Sequence, residues 1–388
     1  MKKSAIWGIM CLFLLSGCSS STILAPSQTA GPVPIYEEQP GLEMQQEYTQ
    51  SRGQICSWKG VTYFLVNHWL YYYDEASGIS GKLCGKPECD HNNHNCNAHV
   101  NGIGGVQVYD GRIYYVMSEG SLYRMDLEGK KREPVMALRN LNGGNGRWVI
   151  HRGNVFSSVV KTVVEKGEGR ENFTLYRHKL GESGKGELIL EKSFTMMPQD
   201  YWQILGDRLY LVLDEHGMRL KDFYRYDIQS GELNTVLTGK SDWVTMDMRV
   251  DPEGVSFLDK KVMKDWIRIV RYDFQTEGME EIFALNSPLI GQLSPKADRM
   301  ILYEQDVALD ETDRRYYYQI IDRQNTQLAE GSVSCEPREF GLMRSGSDEY
   351  GFLFYKSINN EPVHTDQLLR ISYTGEVKVL IEDVQIVP

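Results

Sequence analysis

Long apolar runs are scarce in this 388-residue chain. Outside the first fifteen residues no segment approaches the ~20 apolar residues that a membrane-spanning helix needs. Clusters of basic residues are also missing. Lys and Arg number 42 against 53 Asp and Glu, for a net charge of −11, which argues against nucleic acid or an anionic lipid surface as a direct partner. There is no P-loop, no Gly-x-Ser-x-Gly elbow and no His-Glu-x-x-His helix, so chemistries recognisable by local spacing are excluded. Paired carboxylates drawn from distant strands are not, because spacing along the chain would not reveal them.

What the chain does have is ordinary globular composition, 41% hydrophobic and 24% charged, with 23 Tyr and seven Trp. That aromatic content suits pleated, half-buried surfaces. The stretch Phe223-Tyr224-Arg225-Tyr226-Asp227-Ile228-Gln229-Ser230-Gly231-Glu232-Leu233 reads as a β-hairpin. Aromatic and polar residues alternate, the Asp side chain can accept turn N–H groups, and Gly tolerates positive φ. The pattern returns about every 50 residues, with anchors at Asp74, Asp126, Lys179, Asp227, Asp273, Asp322 and Ser372.

A second register supports the first. A turn precedes each of Val61 to Leu65, Ile113 to Val116, Val155-Phe156, Leu209 to Val212, Val255 to Leu258, Met300 to Tyr303 and Phe352 to Tyr355. A short apolar piece precedes each of these in turn, from Ile55 to Trp58 through to Phe340 to Met343, and an outer strand follows each anchor, as in Leu233 to Leu237. Four strands per unit and a period of this length predict an all-β fold, a β-propeller with seven four-stranded blades preferred over six or eight. A β-sandwich fits the sevenfold period poorly. The tail Val384 to Val387 is expected to supply an extra strand near blade one at ring closure.

The N-terminus gives an address. Lys2 and Lys3, the apolar run Ala5 to Leu15 and the small residues Ser16-Gly17 before Cys18 form the three regions of an export signal. Leu15-Ser16-Gly17-Cys18 resembles a bacterial lipobox, which implies a diacylglyceryl group on Cys18 and cleavage just before it. Residues 1–17 are then the signal peptide, 18–50 a lipidated Cys with a flexible polar tether, and 51–388 the propeller. Loss of Lys2 and Lys3 takes the net charge to −13. Pro26, Pro32, Pro34 and Pro40 keep the tether extended, and Gly41 to Tyr48 is expected to form a short helix.

The most chemical stretch follows the first hairpin. Cys84, Cys89, His91 and Cys96 fall in a loop with Gly85, Pro87 and several Asn. Three thiolates and an imidazole suit tetrahedral Zn²⁺, a structural cofactor. Disulfides involving Cys56 are the alternative, since an exported chain leaves the reducing cytosol. With Cys11 in the leader and Cys18 lipidated, Cys335 is left over in that scheme. Either arrangement is a staple, and a closed four-ligand site has no open position for substrate.

Other patterns carry less. Ser158-Val159-Val160-Lys161 matches the Ser-x-x-Lys of penicillin-recognising enzymes but sits in a β-run without the companion motifs. Asn101 to Gly105 and Asn142 to Gly146 read as loops between blades, and Asp306 to Asp313 as a solvated hairpin tip without the alternation of a calcium loop. Tyr71-Tyr72-Tyr73, Tyr114-Tyr115 and Tyr316-Tyr317-Tyr318 are expected to fill the wedges between blades.

Taken together, the lipobox, the tether, the Leu-Tyr-Arg-x-Asp hairpins and the insertion Leu83-Cys84-Gly85-Lys86-Pro87-Glu88-Cys89-Asp90-His91 with Cys96 resemble a group of exported propeller lipoproteins of Gram-positive anaerobes. The hairpins are similar to those of the wider TolB-like propellers. The resemblance implies binding or scaffolding, with an unknown protein or glycan as partner, the membrane reached through the N-terminal lipid, and an extracytoplasmic location. The alternative is a hydrolase or lyase acting on glycan or peptide through carboxylates at the channel mouth. Metal handling by the Cys-His loop is a third expectation. Lys179 departs from the anchor pattern, and the charged segment Glu165 to Glu171 lengthens the same unit.

Overall fold

A computed structural model describes residues 55–66, 68–100, 102–138, 141, 145–165, 168–215, 220–304, 314–335, 339–360 and 363–386. The lipobox, Cys18, the tether, the expected helix at Gly41 to Tyr48 and the acidic tip at Asp306 to Asp313 lie outside these residues. Among the described residues no helix is long and apolar enough to cross a membrane.

The chain forms seven four-stranded sheets, each built from consecutive antiparallel strands in simple order. Blade one is β1 (Ile55–Trp58), β2 (Val61–Val66), β3 (Trp69–Asp74) and β4 (Ile79–Lys82). Blade two is β5 (Gly102–Tyr109), β6 (Arg112–Met117), β7 (Ser121–Asp126) and β8 (Glu133–Ala137). Blade three is β9 (Asn145–His151), β10 (Asn154–Glu165), β11 (Glu168–Lys179) and β12 (Glu187–Phe194). Blade four is β13 (Gln199–Leu205), β14 (Arg208–Glu215), β15 (Leu220–Asp227) and β16 (Leu233–Lys240). Blade five is β17 (Trp243–Asp251), β18 (Gly254–Lys261), β19 (Trp266–Asp273) and β20 (Met279–Asn286). Blade six is β21 (Ile290–Leu293), β22 (Arg299–Tyr303), β23 (Arg314–Asp322) and β24 (Gln327–Cys335). Blade seven is β25 (Glu339–Ser347), β26 (Gly351–Asn360), β27 (Val363–Ser372) and β28 (Val377–Ile386). The molecule is a seven-bladed β-propeller.

All seven anchors end the third strand of their blade, and their chemistry explains why. Asp227 Oδ1 accepts the N–H groups of Gln229 (3.1 Å) and Ser230 (2.8 Å) and the Ser230 hydroxyl (3.0 Å). Asp273 Oδ1 does the same with Gln275, Thr276 and the Thr276 hydroxyl, while Asp322 Oδ1 takes the N–H groups of Gln324 and Thr326. These bonds satisfy N–H groups that the turn removes from the ladder. Ser372 reproduces the pattern with its hydroxyl, accepting from Thr374 and Glu376. Lys179 cannot accept. There the turn runs through residues 180–186, closed by the Glu182 N–H to the Lys179 carbonyl at 3.0 Å and by an ion pair between the two side chains at 3.2 Å.

Between blades the chain buries its aromatics. Seven apolar clusters are described, and each joins two neighbouring blades. Tyr63, Val108 and Tyr115 join blades one and two, and Phe223, Phe257 and Tyr272 join four and five. The seventh cluster closes the ring, packing Ile55, Phe64, Tyr71 and Tyr73 against Leu353, Leu368 and Ile381. The tyrosine triplets fill wedges as expected. Tyr71, Tyr73, Tyr316 and Tyr318 are buried, whereas Tyr317 points outward.

Two expectations change. The C-terminal tail does not pair with blade one. Residues Val384 and Gln385 extend β28 against His364 and Thr365 of β27, so among the described residues no strand is exchanged at closure. Side chains bind the ends of the ring instead: Arg370 reaches Glu75, Thr62 and Asp348, Tyr71 bonds Asp383, and Lys378 bonds Tyr73. The glycine-rich stretches are also partly strand. Gly102 to Gly105 open β5, whose register shifts twice there, and Asn145-Gly146 open β9. A Cβ on Gly146 would lie 2.3 Å from Leu141 Cδ2, so glycine lets that loop residue close over the inner strand.

Candidate metal centre

The inner strands are tied to one another by side chains at matching positions. The Val108 N–H donates to Cys56 Sγ (3.4 Å), that of Ile150 to Gln107 Oε1 (2.7 Å), that of Val250 to Gln203 Oε1 (2.8 Å) and that of Leu293 to Asp247 Oδ2 (2.8 Å). Each acceptor belongs to one blade and each N–H to the next. Arg249 adds a longer bridge, holding Asp247 and reaching the Leu293 carbonyl and Ser347 of blade seven. Ion pairs cross the same blade joins, Arg147 with Asp200 and Lys221 with Asp259 at 2.7 Å. Cys56 is therefore a wedge residue. Burial pushes its thiol up to about 12, against the small lowering from the Val108 N–H.

The loop at residues 83–100 follows β4 and runs between blades one and two. Its ends are held by backbone: Leu83 N–H bonds the Leu70 carbonyl, Leu70 N–H the Ala98 carbonyl, and Val100 N–H the His68 carbonyl, all at 2.8 Å. Its middle is pressed on blade two. Gly85 N–H and Asn97 Nδ2 both donate to the Gly129 carbonyl, at 3.3 and 2.7 Å. Gly85 is required there, since a Cβ would meet Lys130 Cγ at 2.3 Å and the Glu128 carbonyl at 2.6 Å. Lys82 and Lys86 donate to the carbonyls of His91 and Asn95.

This path brings together the four residues singled out by spacing. The donor atoms of Cys84, Cys89, His91 and Cys96 all lie within 4.8 Å of one another. His91 Nδ1 is 3.4 Å from Cys96 Sγ, close to the ~3.5–3.8 Å edges of a tetrahedral site with Zn–S near 2.3 Å. His91 takes a positive φ of 54° to turn its ring inward. No disulfide joins the described side chains of Cys56, Cys84, Cys89 and Cys96, and Cys56 is not in this group. The Cys335 side chain lies outside those described.

Electrostatics prepares the sulfurs unequally. Burial raises Cys84, but the N–H groups of Lys86 and Asn97 and the neighbouring thiols of Cys96 and Cys89 outweigh it and bring it below the ordinary thiol value. Cys96 is fully buried and is pushed up to about 12 by burial despite an N–H from Ala98, the other thiols adding to the rise. Both Cys84 and Cys96 thus receive an N–H from the residue two further on, an outer shell that orients thiolate ligands. The donor set fits a metal ion, and an ion would offset the burial cost of charging Cys96.

Comparison with other proteins gives the architecture and stops there. No family model matches the sequence, and no curated protein matches it either. Among solved structures, a prolyl endopeptidase aligns with 89% of this chain and 50% of its own at 12% identity and a TM-score of 0.55. An oligogalacturonate lyase in complex with manganese aligns over 90% of this chain and 92% of its own at 11% identity, TM-score 0.48. TolB from Acinetobacter baumannii aligns over 86% and 80% at 14% identity, TM-score 0.37. The likeness is one of fold. The chain spans about half the length of the prolyl endopeptidase.

Sequence reading missed one constellation. Ser357 and Asp366 are register partners on β26 and β27, and His364 stands two residues before Asp366 on the same face. Ser357 Oγ and Asp366 Oδ2 both address His364 Nε2, at 3.4 and 3.0 Å. A nucleophile relay needs the carboxylate on Nδ1 and the hydroxyl on Nε2, so these three do not form one. Asp366 also pairs in register with Asp383, and the two buried carboxylates accept the hydroxyls of Tyr355 and Tyr71. Burial, then these bonds, hold both phenols well above their usual value. The alternation that puts these residues on one face was visible, but the pairing of β26, β27 and β28 past the hairpin core was not. Ser158 and Lys161, by contrast, do not meet: Ser158 is buried against Asp200 and Lys161 is exposed.

Proposed function

We propose that the mature protein is a lipid-anchored extracytoplasmic propeller acting as a binding or scaffolding module for a protein or cell-envelope partner. The observation that carries this reading is the use of the inner-strand polar groups. Cys56, Gln107, Gln203, Asp247 and Arg249 bond the neighbouring blades, making the ring a rigid platform whose loops are left to differ. Cross-linking in native membranes should join the protein to one dominant partner. Release of products from glycan or peptide substrates would replace this reading with the hydrolase or lyase. Cys18→Ser should free the protein from the membrane, and retention would sink the anchor.

Within that module Cys84, Cys89, His91 and Cys96 hold a structural zinc ion. Soft thiolates favour Zn²⁺, whereas Mn²⁺ favours carboxylate and water. The ion supplies no reaction step here; these residues fix residues 83–100 on Gly129 and Lys130 of blade two. Purified protein should contain about one zinc per chain, as a closed four-ligand site implies. Peptide mapping that found Cys84, Cys89 and Cys96 all in disulfides would end the idea.

A further inference from the structure

The one anchor that cannot accept a turn N–H is also the one beside a cavity. In blade three Lys179 stands where the other anchors are Asp or Ser, and the turn after it takes residues 180–186, against 228–232 in blade four. An open cavity of about 440 Å³ lies at this turn, within the size range of small-molecule sites. The end of β11 contributes Arg177, His178 and Lys179 to its wall, and the turn and the start of β12 contribute Glu182, Ser183 and Glu187. Turns between third and fourth strands lie at the opposite end of the blades from the loop that follows β4, so the cavity is remote from the Cys-His cluster.

His178 is the residue that packing leaves unexplained. Its side chain is 4% exposed, and neither ring nitrogen has a hydrogen-bond partner. Buried polar groups left unpaired are rare and cost free energy. Burial lowers the pKa of the imidazole, so the ring is neutral at pH 7 and able to give one hydrogen bond and accept another. Gly186, at a φ of 72°, brings the turn down on this ring, since a Cβ there would lie 2.6 Å from His178 Cε1 and 2.7 Å from Nδ1. Arg177 is fixed beside it, donating through Nε to Asn154 Oδ1 (3.1 Å) and through Nη1 to the Ile228 carbonyl of blade four (2.8 Å). Among the described residues its Nη2 has no hydrogen-bond partner.

The charges around the cavity balance. Lys179 faces Glu182 at 3.2 Å and Arg177 faces Glu187 at 4.0 Å. A phosphate would meet two carboxylates here and a divalent cation two cationic side chains, whereas a molecule carrying both signs finds a partner for each. The Lys179–Glu182 pair is exposed and such pairs are worth little in water, so a ligand can take over both members at small cost. We infer that this cavity binds a small zwitterion bearing one ammonium and one carboxylate group, an α-amino acid or a short peptide. Arg177 Nη2 and Lys179 receive the carboxylate, Glu182 and Glu187 the ammonium, and His178 supplies a neutral donor or acceptor in the wall. The site adds a small-molecule function to the module and depends neither on its macromolecular partner nor on zinc.

The full chain carrying ¹³C-labelled histidine reports on the cavity through the Cε1–H resonance of His178, assigned by its loss in His178→Phe, and calorimetry gives the affinities. At about 10 mM, tenfold above a Kd of about 1 mM, at least one of the standard amino acids or glycylglycine should move that resonance. Acetate and methylamine, which carry one charge each, should not. Lys179→Met and Glu187→Gln, both at exposed positions, should each weaken binding about tenfold, the loss of one charge-assisted hydrogen bond, and leave the unfolding midpoint unchanged. Binding of a free amino acid but not of glycylglycine supports the amino-acid form of the ligand, and the reverse supports the peptide. The proposal is overturned if no zwitterion moves the resonance, if acetate alone binds as tightly as any zwitterion, or if both substitutions leave the affinity intact.

Discussion

Two connections between blades show how differently this chain can solve the same problem. From blade four to blade five it crosses with only Ser241 and Asp242, and from blade one to blade two it takes residues 83–101. The short crossing inherits its order from the strands it joins. The Asp242 carbonyl accepts the Val262 N–H, and Trp243 is flanked by Arg268 at 4.1 Å and Lys261 at 5.3 Å. The long one has no ladder through its middle. It is positioned by side-chain bonds to carbonyls, by glycine contact at Gly85, and by four donor atoms converging on one point. A closed loop costs entropy that grows slowly with length, so a long crossing needs cross-links that a short one does not.

The contrast can be broken first at ring closure, where neither solution applies and buried charge does the joining. Arg370→Ala leaves Asp348 and Glu75 without their cation and should cost about 3–5 kcal/mol, read by denaturant unfolding. A loss below 1 kcal/mol would mean the aromatic wedge closes the ring unaided. Next in size is the ion. If free Zn²⁺ stands at 100 Kd, chelation should lower stability by about 2.7 kcal/mol, with proteolytic cleavage appearing first within residues 83–100. Cleavage starting at Ser241-Asp242 would reverse the comparison.

Smaller effects test the repeat itself. Asp227→Ala removes an exposed turn acceptor and should cost about 0.5 kcal/mol after allowance for solvent. The Ser230 N–H first, then the Ser230 hydroxyl and the Gln229 N–H, hold the Asp227 carboxyl below its ordinary value against the opposing effect of burial. Its contribution is therefore present above the unfolded aspartate value of about 3.9 and fades as pH falls through the lower folded value. The unfolding midpoint of the unaltered protein should converge on that of the variant in acid. A constant gap down to pH 2 would show that the carboxylate form is not what caps the turn. Lys179→Asp should change stability by less than about 0.5 kcal/mol, because the turn at residues 180–186 has its own closure. A gain near 1 kcal/mol would mean that blade three had kept the common turn.

How much was legible depended on whether the signal was local. The hairpin around Asp227 needs only its own side chain and the next three residues, so its period located the third strand of every blade and the preferred count of seven. The Cys84, Cys89, His91 and Cys96 spacing was legible for the same reason. Cys56 entered the sequence reading only as an alternative disulfide partner, and only the next blade shows that its sulfur meets the Val108 N–H. The tail at Val384 was misread because an extended strand has no local mark telling which edge it will pair with. The meeting of Ser357, His364, Asp366 and Asp383 depended on strand register carried beyond the core.

The sequence by itself determined the repeat: alternation sets the two faces of each strand, and Asp or Ser at the anchor sets each turn, both through contacts within a few residues. Only the tertiary structure decided how the ring closes and which donors converge. Closure joins residues about 300 apart through Arg370, Glu75, Tyr71 and Asp383, and Asn97 meets the Gly129 carbonyl only because the loop is pressed on blade two. Contacts of that kind follow from the curvature accumulated over seven sheets, which no single stretch of the chain encodes.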